Sequence, residues 1–578
     1  MTFIFFVWFY ILLIVSVGCT LVYEIIRKKR KIDSMDLIFI SLLVVIQAIW
    51  FPWTYNTVNI DSEYYAHASQ ASCIIEGEKG IERSGGICEN EMFLGDHELT
   101  YPLFLIGARE IFGDELGERI LVNILNIFTT LFIYLILRQF SKNRILCFTF
   151  SLLYYLIPFK NVYILEYFAE NLLFFLSFGL LLYIVESKED DKEKSKKLPL
   201  FLVLLSWLLI FTRIELIFVV PLLISIYLSK NKIKISLRDY LLNGAISAFF
   251  LLILFSFSNI RTKGMIGINF FPVMLLSLFV ADFIVNRLFK NKDYIREFVF
   301  YALYFGGIIF FLLNGYHDNH YSISQYGYRL SNFWIPELFK TLLNSNIIFK
   351  LVIFGGLGFL IYETFLYFSN AKRRKMKNRD SFFISIALIL VSFQIFITYS
   401  FLEPLNIDFR FIITSLSFFF IPIGIVWVDF FSLNSKGYIK IIKIVISLLL
   451  CIATIFFLFQ IQHQEGNGEL IEDAAEECPD DSFVLFYSAG GIHSLIAETN
   501  VSILPLSFTI SDQEEAKEVL EQYNNICWLR KKRIGEDVPS KQKEFLSTLE
   551  NWLIERSNGE KIYENEVFDV FYMKEVLV

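Results

Sequence analysis

The chain has 578 residues, of which 55% are hydrophobic and only 19% charged, with a mean hydropathy of +0.53 and a formal net charge of −7. A soluble protein of this length needs a polar surface, so the composition excludes that class and indicates helices surrounded by lipid. The charges are segregated along the chain, and no nucleic-acid partner is expected.

About fourteen segments have the length and apolar character of a transmembrane helix, which needs roughly 20 apolar residues. Residues 2–26 lack a basic region before the apolar stretch and are too long for a signal core, so we predict a retained span there. The predicted spans lie near 2–26, 35–53, 117–140, 144–159, 165–186, 198–212, 214–229, 239–257, 265–286, 296–313, 346–368, 381–402, 409–430 and 438–461.

Lys and Arg residues set the predicted orientation. The pair 198–212 and 214–229 is either two short helices or one tilted helix, and with two helices the basic short loops all fall on one side. Merging the pair would place Lys372–Arg379 (KRRKMKNR) outside, so the two-helix interpretation is preferred, with both termini outside. The basic loops are Arg27–Lys31, Arg138–Arg144, Lys188–Lys197, Lys230–Arg238, Arg287–Arg296, Lys372–Arg379 and Lys436–Lys440.

Three longer segments then lie on the outer face: a first loop near 54–116, a second near 314–345, and the tail 463–578. The tail alternates short apolar strands with helical stretches and ends in a predicted hairpin, KIYENEVFDVFYMKE. We therefore predict a transmembrane module, 1–462, followed by a small extracytoplasmic α/β domain, 463–578. The predicted strands are Phe483–Tyr487, Val501–Leu504 and Ile526–Leu529, and the helices are Gln513–Tyr523 and Lys541–Arg556.

Four of the seven cysteines lie in these outer segments. Cys73 and Cys88 share the first loop, and Cys478 and Cys527 share the tail. An oxidising outer compartment would permit two disulfides.

The first outer loop opens with two carboxylates, Asp61 and Glu63, directly after a span. Carboxylates at a membrane boundary are suited to binding a divalent cation or to acting as a general base. A short interfacial helix would place Glu63, Tyr64 and His67 on one face. The alternative is that Asp61 only caps that helix.

Ionisable residues also stand at the predicted outer ends of later spans, where they are costly unless satisfied. Because these residues all lie at the predicted outer face of the membrane, we predict that they share a polar cavity. The alternative is that they are ordinary interfacial anchors and ion pairs. Arginines there suit a phosphate. The residues are Glu166, Glu170, Arg213, Glu215, Asp408 and Arg410, with Lys160 in a short outer loop.

Four stretches, taken in order, resemble the GT-C superfamily of membrane glycosyltransferases, and most closely its branch of protein O-mannosyltransferases and lipid A aminoarabinose transferases. The sequence has no WWD motif of the kind that marks oligosaccharyltransferases, which argues against transfer of a whole oligosaccharide. The stretches are IDSEYYAHA (60–68), TYPLFLIGAREIFGD (100–114), ILEYFAENLLFFLSFGLLLYI (164–184) with FTRIELIFVVPLLISIYL (211–228), and DFRFIITSLSFFFIPIGI (408–425), which has Phe411 where the family has Tyr.

The resemblance implies transfer of a monosaccharide, with inversion, from a polyprenyl-phosphate (for example dolichyl-phosphate) carrier to a protein, lipid or glycan acceptor at the outer face of the plasma membrane. Asp61 would be the base and Glu63 its helper. Arg213, Arg410 and Lys160 would hold the lipid phosphate.

Further residues are implied for the sugar, the acceptor and a metal. A divalent cation, Mg or Mn, would be bound by Asp61 and Glu170. The residues for sugar or acceptor are Glu170, His317, His320 and Tyr326; the loop residues among them are equally compatible with interfacial side chains.

Two other functions remain open from the sequence. A transporter or flippase for a polyprenyl-linked glycan would spread polar residues through the membrane depth. A non-catalytic subunit would leave the clustered ionisable residues unexplained.

Overall fold

The structure is a computed structural model that describes part of the chain. The chain forms two compact units. The first comprises residues 1–51, 122–164 and 169–462, and the second comprises residues 52–121, 165–168 and 463–578. The described residues are 34–55, 62–84, 88, 100–154, 168–186, 200–212, 350, 352–358, 361, 409–432, 437–438, 441, 445, 449, 452, 467–479, 481–486, 502–503, 520, 522–523, 525–532, 547, 549–555, 560–565 and 568–573.

Where the described residues overlap predicted spans, they are helical. One stretch within them, Ile120–Phe140, is long and apolar enough to cross a bilayer, and shorter apolar helices accompany it. The count of about fourteen spans remains a prediction, because the spans near 2–26, 214–229, 239–257, 265–286, 296–313 and 381–402 lie outside the described residues. The helices are α1 (Ser34–Tyr55), α2 (Ser62–Glu76), α3 (Glu78–Arg83), α4 (Thr100–Phe112), α5 (Asp114–Phe140), α6 (Arg144–Leu153), α7 (Phe168–Glu186), α8 (Leu200–Thr212), α9 (Phe409–Ser432) and α10 (Asn467–Glu476).

Helices α1 and α5 run in opposite directions, as the predicted orientation requires. Asp36, in the first turn of α1, accepts a 2.7 Å hydrogen bond from Tyr134 and a 2.7 Å charged hydrogen bond from Arg138, both near the end of α5. The Asp36 side chain is buried. Phe39 and Phe148 stack beside this cluster at 4.7 Å between ring centroids. The start of α1 and the end of α5 therefore lie at one level.

Helices α5 and α7 run in the same direction. Phe128 contacts Phe175 with 5.9 Å between ring centroids. One turn further along both helices, a Cβ on Gly179 would lie 3.2 Å from the Phe132 ring. The order of contacts is the same along the two chains, which is the mark of a parallel pair.

Helix α9 is parallel to both. Its Phe418 packs on Phe178 of α7 at 5.3 Å between ring centroids. Six residues later, Gly424 faces Leu137 of α5, with a built Cβ 3.3 Å from Leu137 Cδ2. Phe418 is therefore near the level of Phe132, because Phe178 adjoins Gly179 and Gly179 contacts Phe132. Moving six residues along α9, from Phe418 to Gly424, thus corresponds to moving about six residues along α5 in the same direction, to Leu137. An antiparallel helix would have moved the other way.

The tail contains the predicted α/β fold, with a mixed five-stranded sheet in the order β2-β1-β3-β5-β4. The first three strands in that order are parallel, and β5 pairs antiparallel with both β3 and β4. The predicted strands and hairpin are confirmed. The strands are β1 (Phe483–Phe486), β2 (Ser502–Ile503), β3 (Ile526–Lys531), β4 (Lys561–Glu564) and β5 (Phe568–Met573).

Both faces of strand β3 are buried, so its residues Ile526–Leu529 are apolar without alternation. Trp528 stacks on Phe571 at 5.3 Å between ring centroids, in a core that includes Leu549 and Leu553 of the helical stretch 549–555. Helix α10 packs against β5, and the Cys478–Cys527 disulfide links the segment after α10 to β3. Most of the predicted helix Gln513–Tyr523 lies outside the described residues.

Candidate functional site

Glu63 occupies the first turn of helix α2, and Asp61 immediately precedes the first residue of that helix. The expected short helix after the first span is therefore confirmed, with Glu63, Tyr64 and His67 at helical spacing. Asp61 itself lies outside the described residues, so the choice between base and helix cap stays open. The first turn of α2, which carries Glu63, is positioned by the contacts that the later turns of this helix make.

Helix α2 packs on α4. This contact brings together two of the stretches that resemble the family, 60–68 at the start of α2 and 100–114 along α4. The His67 ring is buried and meets the Tyr101 ring edge-on, with 5.2 Å between centroids. One and a half turns further on, buried Arg109 donates a 3.3 Å hydrogen bond to Ser72. A planar guanidinium between two helices constrains both of them. His67 is therefore part of the packing that holds α2.

The end of helix α2 is covalently tied to the rest of the first loop. Cys73 and Cys88 form a disulfide, as the sequence allowed. Beside it, Arg83 donates two hydrogen bonds to the Glu76 carboxylate, at 2.9 Å and 2.7 Å. The Cys88 amide donates to Ser84 Oγ at 2.9 Å. Bidentate pairs and disulfides both limit motion, so α2 is held on a rigid base.

The turn between α4 and α5 depends on two glycines. Gly113 has φ +88°, a conformation that other residues rarely adopt, and its amide donates to Arg109 at 2.8 Å, which ends α4. Gly117 packs directly on α4, since a Cβ there would lie 2.7 Å from the backbone of Ala108 and Arg109. The sequence FGDELG thus turns the chain tightly into α5.

Glu170 and Arg410 lie at the same level on two parallel helices. Glu170 is nine residues before Gly179, and Asn123 is nine residues before Phe132, which Gly179 faces. Arg410 is fourteen residues before Gly424, and Asn123 is fourteen residues before Leu137, which Gly424 faces. Equal rise along parallel helices places all three positions in one layer. Their helices begin at the predicted outer end.

Helix α5 contributes a polar face to this layer. Its buried residues Asn123, Asn126 and Thr130 recur at the three- and four-residue spacing of one helix face. Leu137, which contacts Gly424 of α9, continues the same face. Sequence analysis did not single out these polar residues, although their spacing inside the predicted span 117–140 was a usable signal.

Helix α9 has the matching face, since Gly424 follows Arg410, Thr414, Ser417 and Ile421 at the same spacing. Ser417 and Ile421 are both buried. On α9 the polar positions precede the apolar ones, whereas on α5 the buried Tyr134, four residues after Thr130, leads toward the Asp36–Arg138 pair. The facing sides are thus polar where Asn123 and Arg410 begin them, and Leu137 meets Gly424 further along.

The other predicted site residues, Asp61, Arg213, Lys160, His317, His320 and Tyr326, lie outside the described residues. Arg213 directly follows Thr212, the last residue of α8. The described residues contain no group of three His, Cys, Asp or Glu side chains that would hold a metal. A cation bound by Asp61 and Glu170 stays a prediction.

Comparison with known proteins finds similarity only at the level of structure: no family model and no curated protein matches the chain. It is similar to an Archaeoglobus fulgidus oligosaccharyltransferase solved with zinc and sulfate, at 12% identity and a TM-score of 0.47, over 85% of this chain and 68% of that one. It is also similar to ArnT from Cupriavidus metallidurans, at 10% identity over 93% of this chain. The TM-scores are 0.40 with undecaprenyl phosphate bound, over 97% of that chain, and 0.38 in the apo state, over 98%. Both proteins are GT-C membrane glycosyltransferases, the superfamily that the sequence motifs resemble.

Proposed function

We propose that this chain is an integral membrane glycosyltransferase that takes a monosaccharide from a polyprenyl-phosphate carrier. The acceptor is a hydroxyl of a protein, lipid or glycan at the outer face of the plasma membrane. The transmembrane module performs the transfer, and the C-terminal α/β domain stands outside the cell.

The observation that carries the proposal is the common level of Glu170, Arg410 and Asn123 near the predicted outer ends of three parallel helices. Glu170, Arg410 and Asn123 share one layer, and Leu137 packs on Gly424 in the inner halves. A transporter for a lipid-linked glycan needs polar groups along the whole path. A polar region closed at the inner side supports a site that receives a lipid headgroup from outside and returns it there.

Two disulfides support the predicted side of the membrane. Cys73–Cys88 lies within the first loop and Cys478–Cys527 lies within the tail, the two segments that were assigned to the outer face. Disulfides persist in oxidising compartments and are rare in the cytosol. This supports an extracytoplasmic location for both segments.

The proposed reaction is a single displacement at the anomeric carbon of the donor sugar. The bond from the anomeric carbon to the phosphate oxygen breaks, a bond to the acceptor oxygen forms with inversion, and the acceptor proton passes to the Asp61 carboxylate. The polyprenyl phosphate leaves as an anion and needs little protonation, so positive groups suffice to stabilise it. The acceptor hydroxyl is a weak nucleophile and needs the base.

The remaining residues are proposed to bind the two substrates. Arg410, Arg213 and Lys160 hold the phosphate, and Glu63 assists Asp61. Glu170, together with His317, His320 and Tyr326, contacts the sugar or the acceptor. A divalent cation bound by Asp61 and Glu170 would supply further positive charge near the reacting oxygen atoms.

The test is transfer of a radiolabelled sugar by the purified full chain from a panel of polyprenyl-phosphate monosaccharides, with and without Mg or Mn. Asp61→Asn is expected to lower transfer at least a hundredfold without changing the thermal midpoint of unfolding. Asp473→Asn, at an exposed position of α10, is a matched control and is expected to transfer normally. The proposal would be refuted if the wild-type protein consumed none of the donors but still bound polyprenyl-linked glycans.

A further inference from the structure

We propose that Asn126 and Thr130 of helix α5 bind the phosphate of the lipid carrier, as neutral hydrogen-bond donors one to two turns below Arg410. This inference rests on the proposed function for the identity of the carrier. It concerns residues that neither the sequence motifs nor the predicted cluster of ionisable groups included.

Both side chains are buried, and each has an oxygen atom without a hydrogen bond. Asn126 is 3% exposed and Thr130 is 0% exposed. Among the described residues, no hydrogen bond reaches Asn126 Oδ1 or Thr130 Oγ1. A buried polar group without a partner costs as much as its lost hydration. Two of them, one helical turn apart on one face, indicate that a polar ligand contacts that face.

Other hydroxyls in the apolar helices show how such groups are satisfied when they are only structural. Thr129 donates to Leu125 O at 2.7 Å, Thr149 to Ile145 O at 2.9 Å, and Ser206 to Leu202 O at 2.6 Å. Each bonds to the carbonyl one turn earlier, which is the usual solution inside an apolar helix. Thr130, next in the chain to Thr129, does not. Its hydroxyl is therefore available to a ligand.

The position along the membrane favours the phosphate over the sugar. Counting from Ile120, where the apolar stretch of α5 begins, Asn126 lies six residues and Thr130 ten residues inward. At about 1.5 Å per residue the two lie ~9 and ~15 Å below the start of the stretch. Displacement with inversion places the leaving group opposite the nucleophile, and the acceptor arrives from outside. The phosphate is thus the deeper end of the headgroup.

The chemistry of the two side chains also fits an anion beside an arginine. Rotating the Asn126 carboxamide by half a turn exchanges its oxygen and nitrogen atoms, so that the NH₂ group can donate to the ligand. The Thr130 hydroxyl can likewise rotate to donate. Arg410 begins the matching face of α9 at the level of Asn123, one turn above Asn126. The positions of Arg410, Asn126 and Thr130 therefore span about two helical turns along the facing sides of α9 and α5.

The experiment measures affinity of the purified full chain for undecaprenyl phosphate, with undecaprenol as the phosphate-free probe. Asn126→Leu and Thr130→Val keep size and remove the donors, and each is expected to weaken binding of the phosphate about ten- to hundredfold. Asn126→Asp is expected to weaken it at least as much, because a carboxylate repels the phosphate. Binding of undecaprenol is expected to be unchanged.

Thr129→Val is the matched control, since it removes a buried hydroxyl from the adjacent position that already bonds to Leu125 O. Equal effects of Thr129→Val and Thr130→Val would overturn the inference, as would wild-type affinity in Asn126→Asp. Thermal midpoints without lipid check that each variant folds.

The outcome separates the inference from the proposed function. If transfer depends on Asp61 but the substitutions at Asn126 and Thr130 leave the affinity for undecaprenyl phosphate unchanged, the inference alone is overturned. The expected affinity pattern without transfer from any donor would overturn the proposed function alone.

Discussion

Removing Arg138 is expected to destabilise the pairing of helices α1 and α5 strongly. Arg138→Met deletes the guanidinium that donates a 2.7 Å hydrogen bond to Asp36, and it preserves most of the side-chain volume. The Asp36 carboxylate is 6% exposed and keeps the 2.7 Å hydrogen bond from the Tyr134 hydroxyl. The perturbation therefore removes a guanidinium that bonds directly to a buried carboxylate.

The magnitude follows from that loss. Breaking a buried ion pair by removing one partner costs about 3–5 kcal/mol, whereas replacing both partners with apolar residues costs much less. Asp36→Leu combined with Arg138→Met is therefore expected to be more stable than Arg138→Met alone. Tyr134→Phe removes one hydrogen bond to a charged group and is expected to cost about 1.5–3 kcal/mol.

The assay is denaturant or thermal unfolding of wild type, Asp36→Leu, Arg138→Met and the double variant in one detergent, analysed as a double-mutant cycle. The expected result is a coupling energy of at least about 2 kcal/mol between positions 36 and 138. Additive effects of the two substitutions would show that the side chains do not meet and would refute the antiparallel register of α1 and α5.

Three further predictions concern the parts of the chain assigned to the outer face. Gly117→Ala is expected to cost about 1–3 kcal/mol, because its Cβ would lie 2.7 Å from the α4 backbone, whereas Gly107→Ala, with nothing within 4 Å, is expected to be neutral or stabilising; equal midpoints of unfolding would contradict this. Hydrogen bonds from Lys532 and Lys561 lower the pKa of Glu564 to about 2. Glu564 therefore contributes stability above its unfolded pKa of about 4.3, and this is lost as the pH falls toward 2, so Glu564→Gln should flatten the acid limb of an unfolding titration; an unchanged limb would count against it. Replacing Cys478 and Cys527 with alanine is expected to destabilise the tail by about 4 kcal/mol, from the entropy of a 49-residue separation, measured by local hydrogen exchange; unchanged protection would contradict this.

The sequence predicted the elements whose signal is local. Short apolar strands such as Phe483–Phe486 and Ile526–Lys531 are recognisable because both faces of the sheet are buried, and the hairpin is marked by alternation around Asn565. Helix α10 was missed because its sequence, NGELIEDAAE, has four acidic residues in ten and few large apolar ones. Among the side chains of α10 that the structure describes, Ile471, Ala474 and Ala475 are buried, and so small a face does not stand out as a pattern.

The candidate site was predicted in part. The helix after Asp61 follows from local spacing, and the positions of Glu170 and Arg410 near helix starts follow from hydropathy. Their common level depends on which helices are parallel and on contacts such as Leu137–Gly424, which no local pattern contains. The role of Asn126 and Thr130 was missed for a similar reason. Asn and Thr are tolerated inside apolar helices, and only the structure shows that Thr129 is satisfied and Thr130 is not.

The most direct test of the central claim is to count the lipid product formed for each sugar transferred by the purified chain. With a radiolabelled polyprenyl-phosphate monosaccharide, we expect one polyprenyl monophosphate for every sugar attached to acceptor, and neither product with Asp61→Asn. Recovery of intact donor after it has crossed the membrane of a reconstituted vesicle, with no free polyprenyl phosphate, would contradict the claim and identify the chain as a transporter.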